Sequence, residues 1–188
     1  MLSPFDLDGL LTERFLRNFL PIPATHQSPL GVLAPPFELL NVASGEKVRL
    51  ADFTRTSWVI LALTRIFTEK HYCPLCYPHI MEMNAAYEQF REYGAEVVMI
   101  TSTDAHQSQI VRQDLELKMP LLSDPSCRVF RQYRVGQALG APLPAQFVID
   151  PQGRIRFRHL FSFLEPNASV ERLLAVLKAQ RIPPIEAA

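Results

Sequence analysis

The chain has 188 residues, 48% of them hydrophobic and 20% charged, which suits one globular domain with a sizeable core. Its 19 basic and 19 acidic residues cancel, so no net field steers it toward nucleic acid or an anionic membrane. Three cysteines are too few for a secreted disulfide framework, "MLSPFDLDGLLTERFL" has acids where a secretory leader is basic, and "WVILAL" is too short to span a bilayer. The expectation is a soluble, cytoplasmic protein, or a plastid stromal one in a eukaryote.

Residues 3 to 20 read as an amphipathic helix, with Ser3 as N-cap, Pro4 at the first helical position and Phe5, Leu10, Phe15, Leu16, Phe19 and Leu20 at helical spacing. The proline-rich "PIPATHQSPLG" ends it, so residues 1–30 form a helical extension and linker, and residues 31–188 the domain. The apolar face of the extension needs a partner, either its own domain or a docking surface on a second copy, another protein or a membrane.

From residue 36 the periodicity alternates. "PFELLNVASGEKVRL" predicts two short strands around a Ser-Gly turn, and "WVILALTRIF" a central strand buried on both faces. "IMEMNAAYEQFREYG" predicts one helix ended by Gly94, "AEVVMIT" a second buried strand, and "AHQSQIVRQDLEL" a helix capped by Asp104. "MPLLSD" follows as a short strand, and "PSCRVFRQYRV" as a short helix with Pro125 at its start. "AQFVIDPQGRIRFRHLF" is a hairpin around Pro151-Gln152-Gly153, and "ASVERLLAVLKAQ" a closing helix with Asn167 or Ser169 near its start. Alternating strands and helices plus a terminal hairpin imply an α/β fold: a mixed central sheet with helices on both faces.

The reactive chemistry lies in "HYCPLCYPH", residues 71 to 79. A buried strand runs into Cys73 and a helix leaves it, so the pair Cys73 and Cys76 sits at a helix start. There unpaired N–H groups and the helix dipole favour a thiolate. Their spacing puts both sulfurs on one face of the first turn, and Pro74 fits a first-turn position where no N–H is needed. Pro78 requires that the turn be kinked or that the regular helix restart near it. A zinc reading would recruit His71 and His79, but four ligands packed on one helix start are cramped and no second cysteine pair exists. His71 and His79 read as exposed or edge-packed, and Tyr72 and Tyr77 as rim packing. No metal and no cofactor is expected. Cys127 reads as a small buried hydrophobe, with a resolving thiol as the minor alternative.

The stretches "APPFELLNVASGEKVRLADF", "YCPLC", "YGAEVVMITSTD", "PLLSDPSCRVFRQYRV" and "LPAQFVIDPQGRIRFRH", in this order, resemble the redoxin group of the thioredoxin superfamily. More closely, residues 31 to 180 look like CPxC-type peroxiredoxin-like proteins of the alkyl hydroperoxide reductase/thiol-specific antioxidant family. The resemblance implies a thioredoxin-like fold, a peroxide or protein-disulfide substrate, and a thioredoxin-like or small-thiol electron donor.

It also divides the two sulfurs. Cys76 falls at the family's peroxide-attacking position, and Cys73 where a threonine or serine is usual. Read as a thioredoxin-type CxxC, Cys73 is instead the nucleophile and Cys76 its resolving partner. Pro144 matches the cis-proline that faces the dithiol in thioredoxin-like proteins. Glu69 stands where a peroxiredoxin carries a proline, and Pro144 where it carries an arginine, so Arg65 is the candidate substitute. The expected function is a CxxC thiol oxidoreductase reducing peroxides or protein disulfides. The rival is a thioredoxin-fold binding or assembly module with an idle or regulatory dithiol.

Overall fold

The computed structural model describes residues 11–25 and 29–181. Its framework is a seven-stranded mixed sheet. In chain order the elements are α1 (Glu13–Arg17), β1 (Glu38–Asn41), β2 (Lys47–Arg49), α2 (Leu50–Thr54), β3 (Trp58–Leu63), β4 (Ile66–Thr68) and β5 (His71–Tyr72). There follow α3 (Tyr77–Ala85), α4 (Tyr87–Glu92), β6 (Ala95–Thr101), α5 (Ala105–Asp114), β7 (Leu121–Ser123) and α6 (Arg128–Gln132). The chain closes with β8 (Gln137–Ala138), β9 (Ala141–Pro142), β10 (Ala145–Ile149), β11 (Ile155–Leu160) and α7 (Val170–Arg181). The sheet order is β11-β10-β3-β6-β7-β1-β2. β3, β6 and β7 run parallel, while β10 pairs antiparallel with both β3 and β11.

β3 is central because both of its faces are apolar. Val59, Leu61 and Leu63 face a core with Phe130 and Phe147, whereas Ile60 faces one with Ile80, Met83, Phe90 and Leu173. The period-2 alternation of strand side chains thus feeds two layers of helices. α6 lies in the first layer, and α3, α4 and α7 in the second.

Four expectations change in detail, and one open point closes. The helix expected over 3–20 is not continuous. Thr12 is extended (φ −89°, ψ 166°), and its Oγ1 accepts from the Phe15 N–H at 3.1 Å, so a helix begins at Glu13. Ser3 and Pro4 lie outside the described residues. The helix expected after the cysteines is split at Ala86 (φ −87°, ψ 5°), whose N–H is shared between the Glu82 and Asn84 carbonyls.

Nor does the central strand run into Cys73. β3 ends at Leu63, and the small hairpin β4–β5 intervenes, pairing Ile66 with Tyr72 and Thr68 with His71. Pro125 does not start α6. The helix begins at Arg128, where the Asp124 carboxylate accepts from the Arg128 and Val129 N–H groups. Finally, no peptide bond among the described residues is cis, so the bond before Pro144 is trans.

The described part of the N-terminal segment packs on its own domain. Ile22 bridges to Gln137, and the Gln137 side chain donates to the Arg17 and Leu20 carbonyls at 3.0 and 3.3 Å. Arg14 donates to Ser102 Oγ at 3.0 Å and to the Phe67 carbonyl. No helix among the described residues is long and apolar enough to cross a membrane.

Candidate active site

Cys73 follows β5 directly and opens a hydrogen-bonded turn. Its carbonyl accepts from the Cys76 and Tyr77 N–H groups, both at 2.9 Å. Cys76 is the N-cap of α3, Tyr77 its first residue and Pro78 its second, so the regular helix starts beside Pro78, and a proline in that first turn needs no kink. Pro74 therefore lies in the turn ahead of the helix rather than in its first turn.

The turn treats the two sulfurs differently. Both thiols are free and buried, Cys76 more deeply at 1% exposure against 9% for Cys73. The neighbouring Cys76 thiol, the backbone N–H groups of the turn and the Arg65 charge all favour a negative charge on the Cys73 sulfur. Together these overcome burial and bring the Cys73 thiol down to about 6. Cys76 is pushed the other way, because it holds its proton for Cys73 and is the more deeply buried.

Arg65 follows β3 and turns inward, only 7% exposed. Its Nη2 donates to the Ala138 carbonyl at 2.5 Å and the Leu139 carbonyl at 3.2 Å, and the guanidinium lies 4.8 Å from the Phe67 ring centre. Burial lowers its pKa, and charge attraction to Cys73 and Cys76 opposes that. Its Nε–H is buried without a hydrogen-bond partner. Pro144 is buried just ahead of β10.

The flanking histidines are occupied. His71 Nδ1 lies 2.8 Å from Thr68 Oγ1, and His79 Nε2 donates to the Ala168 carbonyl at 2.9 Å. Burial brings His79 down to about 4, so it is neutral at pH 7 and is not a cation beside the thiolate. Among the described residues no cluster of His, Cys, Asp and Glu is arranged to hold a metal.

Cys127 is not brought to the pair. It caps α6 in the left-handed region (φ 56°), its sulfur lies 3.7 Å from Asn18 Nδ2, and its cavity is lined by Ile22, Pro23 and Phe130. Burial, and then Asp124, hold its thiol above the ordinary range.

Two residues of the site escape sequence reasoning. Gln146 sits inside the apolar strand "AQFVI" at 1% exposure, and Asn167, read from sequence only as a helix-start residue, reaches the Leu75 carbonyl at 3.0 Å. A lone polar residue in a buried strand must find partners, and that was the available signal for Gln146.

A family model described as AhpC/TSA family matches residues 30–158. Among similar sequences, peroxiredoxin tpx1 of Schizosaccharomyces pombe is 31% identical over 161 residues, 80% of this chain and 80% of that protein. A chloroplastic peroxiredoxin Q of Gentiana triflora is 25% identical over 169 residues, 85% of this chain and 75% of that one. Among solved structures, peroxidoxin BcpB from Mycobacterium tuberculosis superposes with a TM-score of 0.71 at 23% identity, covering 81% of this chain and 98% of that one. Reduced 2-Cys peroxiredoxin from Plasmodium vivax gives 0.70 at 19% identity, covering 85% and 89%. At these identities the structural likeness shows the fold.

Proposed function

The chain belongs to the AhpC/TSA family and is a thiol-dependent oxidoreductase, and we propose that it is a thiol peroxidase in which Cys73, rather than the Cys76 that falls at the family's attacking position, attacks and Cys76 resolves. The observation that carries this reading is the asymmetry of the pair: Cys73 is the more accessible sulfur, at 9% exposure against 1% for Cys76, and its surroundings favour its thiolate. A Cys73 thiol held below its ordinary range is more fully ionised at pH 7 than a free thiol, and the thiolate is the nucleophile.

In the first step the Cys73 thiolate attacks one peroxide oxygen. An S–O bond forms, the O–O bond breaks, and the departing alkoxide or hydroxide leaves as alcohol or water after taking a proton. The Nε–H of Arg65 is a ready donor to a peroxide oxygen, in place of the arginine that Pro144 replaces. In the second step the Cys76 sulfur attacks the Cys73 sulfenic acid. An S–S bond forms, the S–O bond breaks and water leaves. A thioredoxin-like or small-thiol donor then returns two electrons by exchange, and its own thiols become the disulfide.

A second substrate, a protein disulfide, is favoured by Leu75 and Tyr77. Leu75 lies between the cysteines and Tyr77 just after them; they stay 50% and 41% exposed, an apolar rim that fits a polypeptide. It too would be attacked by Cys73. The binding or assembly module with an idle dithiol is not favoured by the family.

Residues 1–30 we read as an extension of a domain at 31–188. The exposed Leu16 and Leu20 support contact with a second copy or another protein, which deletion of residues 1–30 followed by sedimentation tests. We place the protein in a reducing compartment, cytoplasm or plastid stroma, because three cysteines are too few for a disulfide framework and the dithiol needs a thiol donor to be re-reduced.

The deciding experiment compares hydrogen peroxide consumption and insulin reduction, with dithiothreitol or thioredoxin as donor, in wild type, Cys73→Ser and Cys76→Ser. Cys73→Ser should be inactive, and Cys76→Ser should retain a single turnover. Activity that survives Cys73→Ser but not Cys76→Ser would reverse the two roles.

A further inference from the structure

The thiol turn is held from outside by a relay of two carboxamides. Asn167 Nδ2 donates to the Leu75 carbonyl at 3.0 Å, across 92 residues of sequence. Asn167 Oδ1 accepts from Gln146 Nε2 at 2.9 Å, and Gln146 Oε1 accepts from the Ala168 N–H at 2.8 Å. The two ends of this relay are backbone groups of fixed character: the Ala168 N–H can only donate and the Leu75 carbonyl can only accept. Only one orientation of both amides satisfies them, so neither can flip without losing bonds. Gln146 is 1% exposed on β10, between β3 and β11, which gives the relay a rigid base.

The Leu75 carbonyl and the Cys76 N–H are opposite ends of one planar peptide. Holding the oxygen fixes where the N–H points, and that N–H closes the turn on the Cys73 carbonyl at 2.9 Å, so the relay braces the turn that carries both sulfurs. We propose that Asn167, held by Gln146, is a positioning residue that locks the Leu75–Cys76 peptide in the turn closed on the Cys73 carbonyl, and so keeps the attacking sulfur seated beside Cys76 and reactive at neutral pH. Asn167 touches neither sulfur and acts through the peptide alone. The inference rests on the reading of Cys73 as nucleophile.

The test is the pH profile of iodoacetamide alkylation of the reduced full-length protein, with the modified cysteine identified by mass spectrometry. Asn167→Ala should fold with an unchanged circular dichroism spectrum. Its Cys73 profile should move up by about half to one pH unit, with alkylation several-fold slower at pH 6. Glu165→Ala loosens the same loop by removing its link to Arg172 (2.7 Å) and should leave the profile in place. Should Asn167→Ala misfold, Asn167→Ser gives the same reading. A wild-type profile in the folded Asn167 variant, or an equal shift in Glu165→Ala, overturns the positioning role. Wild-type alkylation at Cys76, or a Cys73 profile still rising at pH 9, would instead sink the nucleophile assignment beneath it.

Discussion

Phe15 packs so closely on Gly140 that a Cβ added there would fall 2.0 Å from a ring carbon, and Gly140 itself sits at φ +86°. Gly140 lies between β8 and β9, next to the Ala138 and Leu139 carbonyls that hold Arg65. The N-terminal segment is thereby seated on the hairpin that orients the guanidinium beside the thiols. Gly140→Ala should destabilise by about 1–2 kcal/mol from the left-handed backbone alone, and more from displacing Phe15. Urea unfolding measures the loss, and limited proteolysis should show earlier cleavage near residues 12–25. An unchanged midpoint and digestion pattern would count against this seating.

The reactivity of Cys73 should follow thiolate content. With its thiol lowered to about 6, alkylation at Cys73 should rise through that pH and level off by about pH 8. Arg65→Gln removes the neighbouring charge, so the profile should shift upward and the rate at pH 6 should drop several-fold. A profile identical to wild type would remove Arg65 from the site.

Acid should weaken the packing beneath the site. His79 is held down to about 4 by burial, from an ordinary value of 6.5. A base whose folded pKa is depressed adds stability above its unfolded pKa and loses it as pH falls toward the folded one. The window is thus pH 6.5 to 4, and the loss up to about 3 kcal/mol. Urea midpoints across that range should fall less steeply in His79→Gln, which keeps a donor for the Ala168 carbonyl.

Cys127→Ala should leave peroxide turnover within about twofold of wild type while lowering stability by about 1 kcal/mol, as expected for a small buried side chain. Steady-state turnover and thermal melting separate the two effects. A loss of turnover matching Cys76→Ser would make Cys127 the resolving thiol.

Much of this architecture is legible in the sequence because β3 buries an unbroken apolar run, β6 and β10 bury nearly continuous ones, and the Pro151-Gln152-Gly153 turn marks its hairpin. The pair of sulfurs is legible too, but not their order. That order depends on which N–H groups and which charge surround each one, and Arg65 reaches them only through the hairpin β4–β5, whose strands of three and two residues are too short to show periodicity. The N-terminal helix misleads for a related reason: apolar spacing carries on past Thr12, whereas the Thr12 side chain stops the backbone locally. Asn167 and Gln146 are single polar residues, 21 apart, joined only by the fold.

The near-complete burial of Cys76 gives the dithiol a direction. On the proposed assignment, once the pair is oxidised an incoming thiol should reach the Cys73 sulfur, with Cys76 as the group that leaves. Every covalent partner should then pass through a mixed disulfide at Cys73. In a Cys76→Ser protein that linkage has no internal thiol to release it, and the site becomes a hook on which the natural electron donor or protein substrate stays attached long enough to be weighed.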